Sequence, residues 1–272
     1  MNTIATEIKD FYTQSSEDLR LQTGLGPLEF ERNKELINRF IPKQKAIIAD
    51  VGGGTGHYAA WLSNMGHNVT LIEPVPKHIA LAKQRAKNNA NKFTVIAGEA
   101  STLPFSDNSV DVVILHGPLY HLQEEVARLQ VLQEAKRVLK DGGIVLGFAI
   151  SYTASTVAAL SSGMFHEPAV FAMCQEELAT GYHFPPEAFP GMLCNAYFHR
   201  PKDFRKEFES ANLTVTAHLA VEGLAWLDKN FFENWFIPKK KEQLLKLIQA
   251  TESNEDTLAL SPHMMIAAKK SR

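Results

Sequence analysis

Cysteine is almost missing: only Cys174 and Cys194 occur in 272 residues. Two thiols are too few for a disulfide framework in a chain of this length, and their spacing matches no common zinc pattern. Two reduced cysteines and no metal site are expected. No apolar run approaches bilayer length, the longest clean stretches being of the size of Ile144 to Ile150. Met1 to Asp10 has neither the basic start nor the apolar run of a signal peptide, so a cytoplasmic location without a membrane partner is expected. An excess of positive charge is also lacking. With 28 basic and 30 acidic residues the formal charge is -2, which argues against a broad phosphate-binding face and against nucleic acid as a partner. No repeat or low-complexity tract is present, and no segment marks an oligomeric state.

What is present is the composition of a packed globular core, 45% hydrophobic and 21% charged. Its most informative stretch runs from Lys45 to Glu73. Ala46 to Val51 is apolar and β-branched, then breaks into Gly52-Gly53-Gly54-Thr55-Gly56, as a buried strand does when it ends in an exposed turn. Tyr58, Trp61, Leu62 and Met65 recur at helical spacing, Gly66 ends that helix, and Asn68 to Ile72 form a second strand finishing on Glu73. The glycines read G-x-G-x-G. The dinucleotide fingerprint G-x-G-x-x-G needs glycine where His57 stands, which demotes nicotinamide and flavin cofactors. Glycine permits positive φ and close approach of a ligand, the following helix start favours a negative group, and an acidic residue at the end of the neighbouring strand can accept bonds from two ribose hydroxyls.

Asp50-Val-Gly-Gly-Gly-Thr-Gly56 followed by Glu73 resembles the nucleoside-binding half of class I S-adenosylmethionine-dependent methyltransferases. The resemblance implies S-adenosyl-L-methionine as cofactor. It gives Glu73 and the adjoining Pro74 to the ribose, Gly52, Gly53, Gly54 and Gly56 to the methionine part, and Asp50 to ordering the loop. It extends through three further blocks, together covering about residues 28 to 151. GEASTLPF resembles the family's loop after the third strand, which implies that Glu99 and Ala100 read adenine, although aspartate is more usual there. His116-Gly-Pro-Leu-Tyr-His-Leu122, at the end of the strand Val110 to His116, resembles a GPLYHL segment of bacterial small-molecule methyltransferases. EAKRVLKDGGIVLGF resembles the family's helix, glycine turn and fifth strand, with Asp141-Gly142-Gly143 closing the helix of about Gln123 to Leu139.

The expected fold is α/β: a doubly wound, seven-stranded, mostly parallel sheet with helices on both faces and a helical, aromatic lid insertion. Residues 1–42 are read as an arm and an amphipathic helix, 43–151 as the cofactor-binding core, 152–200 as a substrate-covering insertion crowded with aromatics and prolines, and 201–272 as the remainder of the same domain. Leu213 to Val221 is expected as the sixth strand and His263 to Ala268 as a final antiparallel one. In such relatives an upstream helix often supplies an arginine to the cofactor carboxylate, for which Arg32 is the candidate.

Methyl transfer is an in-line displacement that needs a well-placed nucleophile, and a weak nucleophile also needs a base within hydrogen-bond reach. Tyr120, His121 and His116 are the candidates for catalysis, His116 doubling as a cofactor contact. Tyr12, Tyr152 and His199 are candidates for the substrate side, Tyr12 by closing over the cofactor. The expected activity is methylation of oxygen, nitrogen or sulfur in a small molecule. The alternatives are a non-catalytic S-adenosylmethionine-binding sensor or partner protein, and an RNA methyltransferase.

Overall fold

The computed structural model describes residues 6–189 and 191–271. Two helices, α1 (Thr6–Gln14) and α2 (Glu17–Arg20), precede α3 (Gly26–Phe40), so the segment read as an arm is helical. Pro27 in its first turn suits the start of α3, since its missing N–H would have no intrahelical partner. Leu28, Leu36 and Ile37 recur at helical spacing and are fully buried.

Next come β1 (Ile47–Val51), α4 (His57–Asn64), β2 (Asn68–Glu73), α5 (Pro76–Asn88), β3 (Thr94–Ala97), β4 (Val110–Leu115), α6 (Pro118–His121), α7 (Glu125–Val138) and β5 (Leu139–Ile150). The insertion holds α8 (Ala154–Ser162), α9 (Pro168–Thr180) and a small antiparallel pair, β6 (Tyr182–His183) with β7 (Ala196–Tyr197). The chain then forms α10 (Pro201–Ser210), β8 (Leu213–Ala220), α11 (Phe231–Asn234), α12 (Pro238–Thr251) and β9 (His263–Lys270).

Seven strands make one sheet in the order β3-β2-β1-β4-β5-β9-β8. β9 runs antiparallel to both its neighbours, and the pairings among β1 to β5 are parallel. The sheet is covered on both faces, and β4 shows why it must be. Val112 and Ile114 join Leu36, Ile37, Leu62 and Ala82 from α3, α4 and α5 on one side. Val113 and Leu115 join Leu132, Ala135, Phe204 and Phe208 from α7 and α10 on the other. A strand buried on both faces needs the continuous apolar run that its sequence has.

One local expectation is corrected. Asp141-Gly142-Gly143 does not cap α7, which ends at Leu139 in extended conformation. The three residues lie within β5, Gly142 at φ 76°, and the register between β4 and β5 shifts beside them. A glycine at positive φ serves a strand irregularity as readily as a helix end. No helix of the described residues is long and apolar enough to cross a membrane.

Candidate functional site

The chain reverses its winding between β1 and β4, and the crevice beyond the carboxyl ends of such strands is where an open α/β sheet takes ligands. A cavity of about 130 Å³, open at its mouth, lies there. Its wall follows the strand order. Glu99 and Ala100 follow β3, Glu73 and Pro74 end β2, Gly52 to Gly54 follow β1, His116 and Gly117 follow β4, and His263 opens β9.

Backbone geometry makes the glycine loop. Gly52, Gly54 and Gly56 have φ of 70°, 57° and 86°, a region costly for other residues. A Cβ on Gly53 would stand 2.4 Å from Oδ2 of Asp50, so this position also excludes a side chain. Glu73 ties the loop to β2: Oε2 accepts from the Gly54 N–H at 3.0 Å and Oε1 from the Val75 N–H at 3.0 Å. Asp50 is fully buried behind the loop and bonds Nδ1 of His116 at 2.9 Å. It does not reach the cavity wall, and it orders the loop and a histidine instead. Gly56 is also set back: a Cβ there would meet the Phe93 ring at 3.1 Å, so its smallness serves packing and the turn into α4.

The His116 ring is clamped between Tyr58 and Phe148, with centroids at 4.2 and 4.8 Å, and its Nε2 is buried without a partner. Tyr120 and His121 line the cavity on α6. Tyr12, from α1, lies across them and shares a 2.7 Å hydrogen bond with Nε2 of His121. Burial pushes His121 down to about 3, so its ring is neutral at physiological pH, and burial raises the Tyr12 and Tyr120 phenols.

Three sequence expectations are displaced. Arg32 is fully buried and does not line the cavity. Its guanidinium is committed to the Val221 carbonyl at 2.9 Å, to Glu252 at 2.5 Å and to Glu35. The arginine in the wall is Arg20 of α2, held by Glu29 at 2.5 and 3.0 Å and by Glu17 at 2.7 Å. His199 is fully buried against Glu207 at 3.3 Å, and Tyr152 packs with Ile150 and Phe198 under the guanidinium of Arg200. Neither lines the cavity.

The insertion behaves likewise. Its Val170, Met173, Phe165 and Phe189 pack on one another, and no described residue from 152 to 200 lines this cavity. The cover over the glycine loop comes instead from the N-terminal helices through Tyr12, Glu17, Arg20 and Leu21. Sequence reading missed Arg20, Glu29, Asn33, Tyr58, His78 and His263 in the wall. Only the charge of Arg20, on a helix delivered ahead of β1, offered a signal.

Residues 49–147 match the family model for the methyltransferase domain. The chain is 32% identical over 125 residues to an uncharacterized methyltransferase, YodH, of Bacillus subtilis, covering 46% of this chain and 52% of that protein. The chain thus spans about half the length of that curated relative. Among solved structures it resembles an S-adenosylmethionine-dependent methyltransferase of Methanosarcina mazei, with a TM-score of 0.60 and 18% identity over 87% of this chain and 97% of that one. It also resembles the cyclase SpnF, with a TM-score of 0.53 and 15% identity over 89% and 80% of the two chains. One architecture therefore carries more than one reaction, and the chemistry is set by the site rather than by the fold. Residues 49–147 thus match the methyltransferase-domain family, and the chain has the seven-stranded Rossmann-like fold seen in S-adenosylmethionine-dependent methyltransferases.

Proposed function

We propose that this chain methylates an oxygen, nitrogen or sulfur atom of a small molecule, with S-adenosylmethionine as its cofactor. The observation that carries this reading is the order of donors along one cavity: Glu99 and Ala100, then Glu73, then the glycine loop, then His116 and the α6 residues.

The residues fit the cofactor on their own chemistry. Gly54 has nothing within 4 Å of where a Cβ would stand, so the loop backbone is open to a ligand. Glu73 is 4% exposed yet reaches the wall, with its carboxylate oriented by two backbone N–H groups toward ribose hydroxyls. Arg20, rather than Arg32, supplies a guanidinium for a carboxylate, since bidentate pairing to Glu29 fixes its plane. When bound, the cofactor supplies an electrophilic methyl group. The protein's task is to orient the acceptor and exclude water. Tyr12 and His121 close the wall over α6, and the neutral His121 ring adds no charge that would repel a sulfonium. The balanced net charge of -2 supports a small acceptor over RNA.

The test is calorimetric titration of the full chain with S-adenosylhomocysteine, beside Glu73→Gln. Binding weakened at least tenfold in the variant is expected. Absence of binding to the wild type would overturn the reading.

A further inference from the structure

The cavity wall holds another carboxylate-bound imidazole, on a strand more than two hundred residues from the glycine loop. His263 opens β9 opposite Ile150, at the same sheet end as the other site residues. Its Nδ1 lies 2.7 Å from Oε1 of Glu222, which is 1% exposed. Oε2 of Glu222 accepts from the His263 backbone N–H at 3.0 Å and from the Ser261 hydroxyl at 3.2 Å. An ionised carboxylate at Nδ1 keeps the proton there, so in the neutral ring Nε2 carries the free lone pair. Among the described residues no hydrogen bond occupies Nε2, and the half-buried ring lines the cavity.

His116 is bound to a carboxylate in the same way, but its Nε2 is buried, and Tyr58 and Phe148 stack on the two faces of its ring. The two histidines therefore differ in access. His263 also stands at the β5 and β9 end of the cavity, away from the adenine-side residues after β3.

Building on the methyltransferase reading, we propose that His263, positioned by Glu222, is the general base for the acceptor. The acceptor class is then a weakly acidic hydroxyl or N–H compound, which must lose a proton to be methylated. The X–H bond breaks, the proton passes to Nε2, and the electron pair stays on X to form the new bond to carbon. The imidazolium that results is balanced by Glu222, and the donor sulfur keeps the pair of the bond that breaks. An acceptor that is already electron-rich, such as a tertiary amine or thioether, would have no use for this group.

The charged groups that face the ring are Glu222 from the segment after β8, Glu29 from α3 and Arg20 from α2. Burial and Arg20 favour the neutral ring, but the two carboxylates outweigh them and raise the His263 pKa. Glu29, Glu222 and His263 could also be read as metal ligands, since their ligand atoms lie within 4.8 Å of one another. Both Glu29 oxygens already bond Arg20, and both Glu222 oxygens are bonded within the dyad. The donor set is filled by protein, which favours the base.

The experiment is carbethoxylation of the full chain with diethyl pyrocarbonate, free and with bound S-adenosylhomocysteine, read at His263 by peptide mass spectrometry across pH. Only the neutral ring reacts. His263 is expected to react in both forms, with a rate midpoint above the ordinary imidazole value of about 6.5. Glu222→Gln is expected to lower that midpoint, and His263→Asn to leave S-adenosylhomocysteine affinity within twofold. The wild-type arm stands even if a variant fails to fold. An unreactive His263, a midpoint at or below 6.5, a tenfold loss of affinity in His263→Asn, or stoichiometric Zn²⁺ binding that blocks the reaction would each overturn the proposal. Failure of the wild type to bind S-adenosylhomocysteine would instead remove the methyltransferase reading on which it rests.

Discussion

Replacing Arg32 by methionine separates two roles that an arginine near a cofactor site can have. Its guanidinium is fully buried and holds Glu252, itself 8% exposed, at 2.5 Å. Breaking a buried ion pair by removing one partner costs ~3–5 kcal/mol, mostly because the remaining charge is left buried. Arg39 also bonds Glu252, so part of that charge stays compensated, and the cost falls to about 2–4 kcal/mol. At roughly 2–4 °C per kcal/mol for a chain of this order of size, Arg32→Met should lower Tm by about 4–16 °C. Its affinity for S-adenosylhomocysteine, measured well below that Tm, should stay within twofold. Arg20→Met should differ in weakening binding, and, because it leaves the buried Glu29 carboxylate without its bidentate partner, it should lower Tm as well. Losing a charged hydrogen bond of about 1.5–3 kcal/mol to the ligand weakens binding by ~10-fold or more. Thermal melts and calorimetry on both variants decide the matter. A large affinity loss in Arg32→Met without a fall in Tm would refute the assignment.

Four further outcomes follow. Gly53→Ala, whose Cβ would stand 2.4 Å from Oδ2 of Asp50, should displace the carboxylate that holds His116; lost S-adenosylhomocysteine binding is expected by calorimetry, and an unaltered Kd would contradict the packing. Tyr12→Phe removes the 2.7 Å bond to His121 and should speed ligand release about fivefold in stopped flow, an effect near 1 kcal/mol. His218 is buried and held down to about 4 by burial and Arg205, below its unfolded value of ~6.5, so between these pH values only the unfolded state takes up the proton. Stability should therefore fall as pH drops from 6.5 towards 4, and His218→Phe should flatten that slope in denaturant titrations. Burial pushes the Cys194 thiol up to about 12, so iodoacetamide should label it far more slowly at pH 7.5 than in the unfolded chain.

Much of the fold was legible because each central element carries its own signal. The apolar runs of β1 and β4 and the i, i+4 spacing of α3 need no tertiary information. The glycine loop was legible for the same reason, since positive φ leaves a mark in the residue type. The position of Arg32 was not, because an arginine's partners are set by where distant segments return. Glu252 and the Val221 carbonyl lie 220 and 189 residues away from it. The insertion misled for a related reason. Aromatic residues signal burial, but not what they are buried against, and here they pack largely on themselves. His263 and Glu222 form their pair only because β9 threads between β5 and β8. No local pattern could announce that.

That threading also bears on how the molecule assembles. β8 is synthesised about forty residues before β9, yet among the described strands β9 is its only neighbour in the sheet. Until β9 docks, β5 has an open edge and β8 has nothing to pair with, so the nascent chain carries two unpaired strand edges of the kind that invite aggregation. Closing the gap takes contacts such as Ile150 with His263, which are distant in sequence and slow to form. The same docking brings the imidazole to the cavity. On the proposed reading, a molecule stalled one strand short would have its glycine loop and its nucleoside wall but no base, and would be a binder before it was an enzyme.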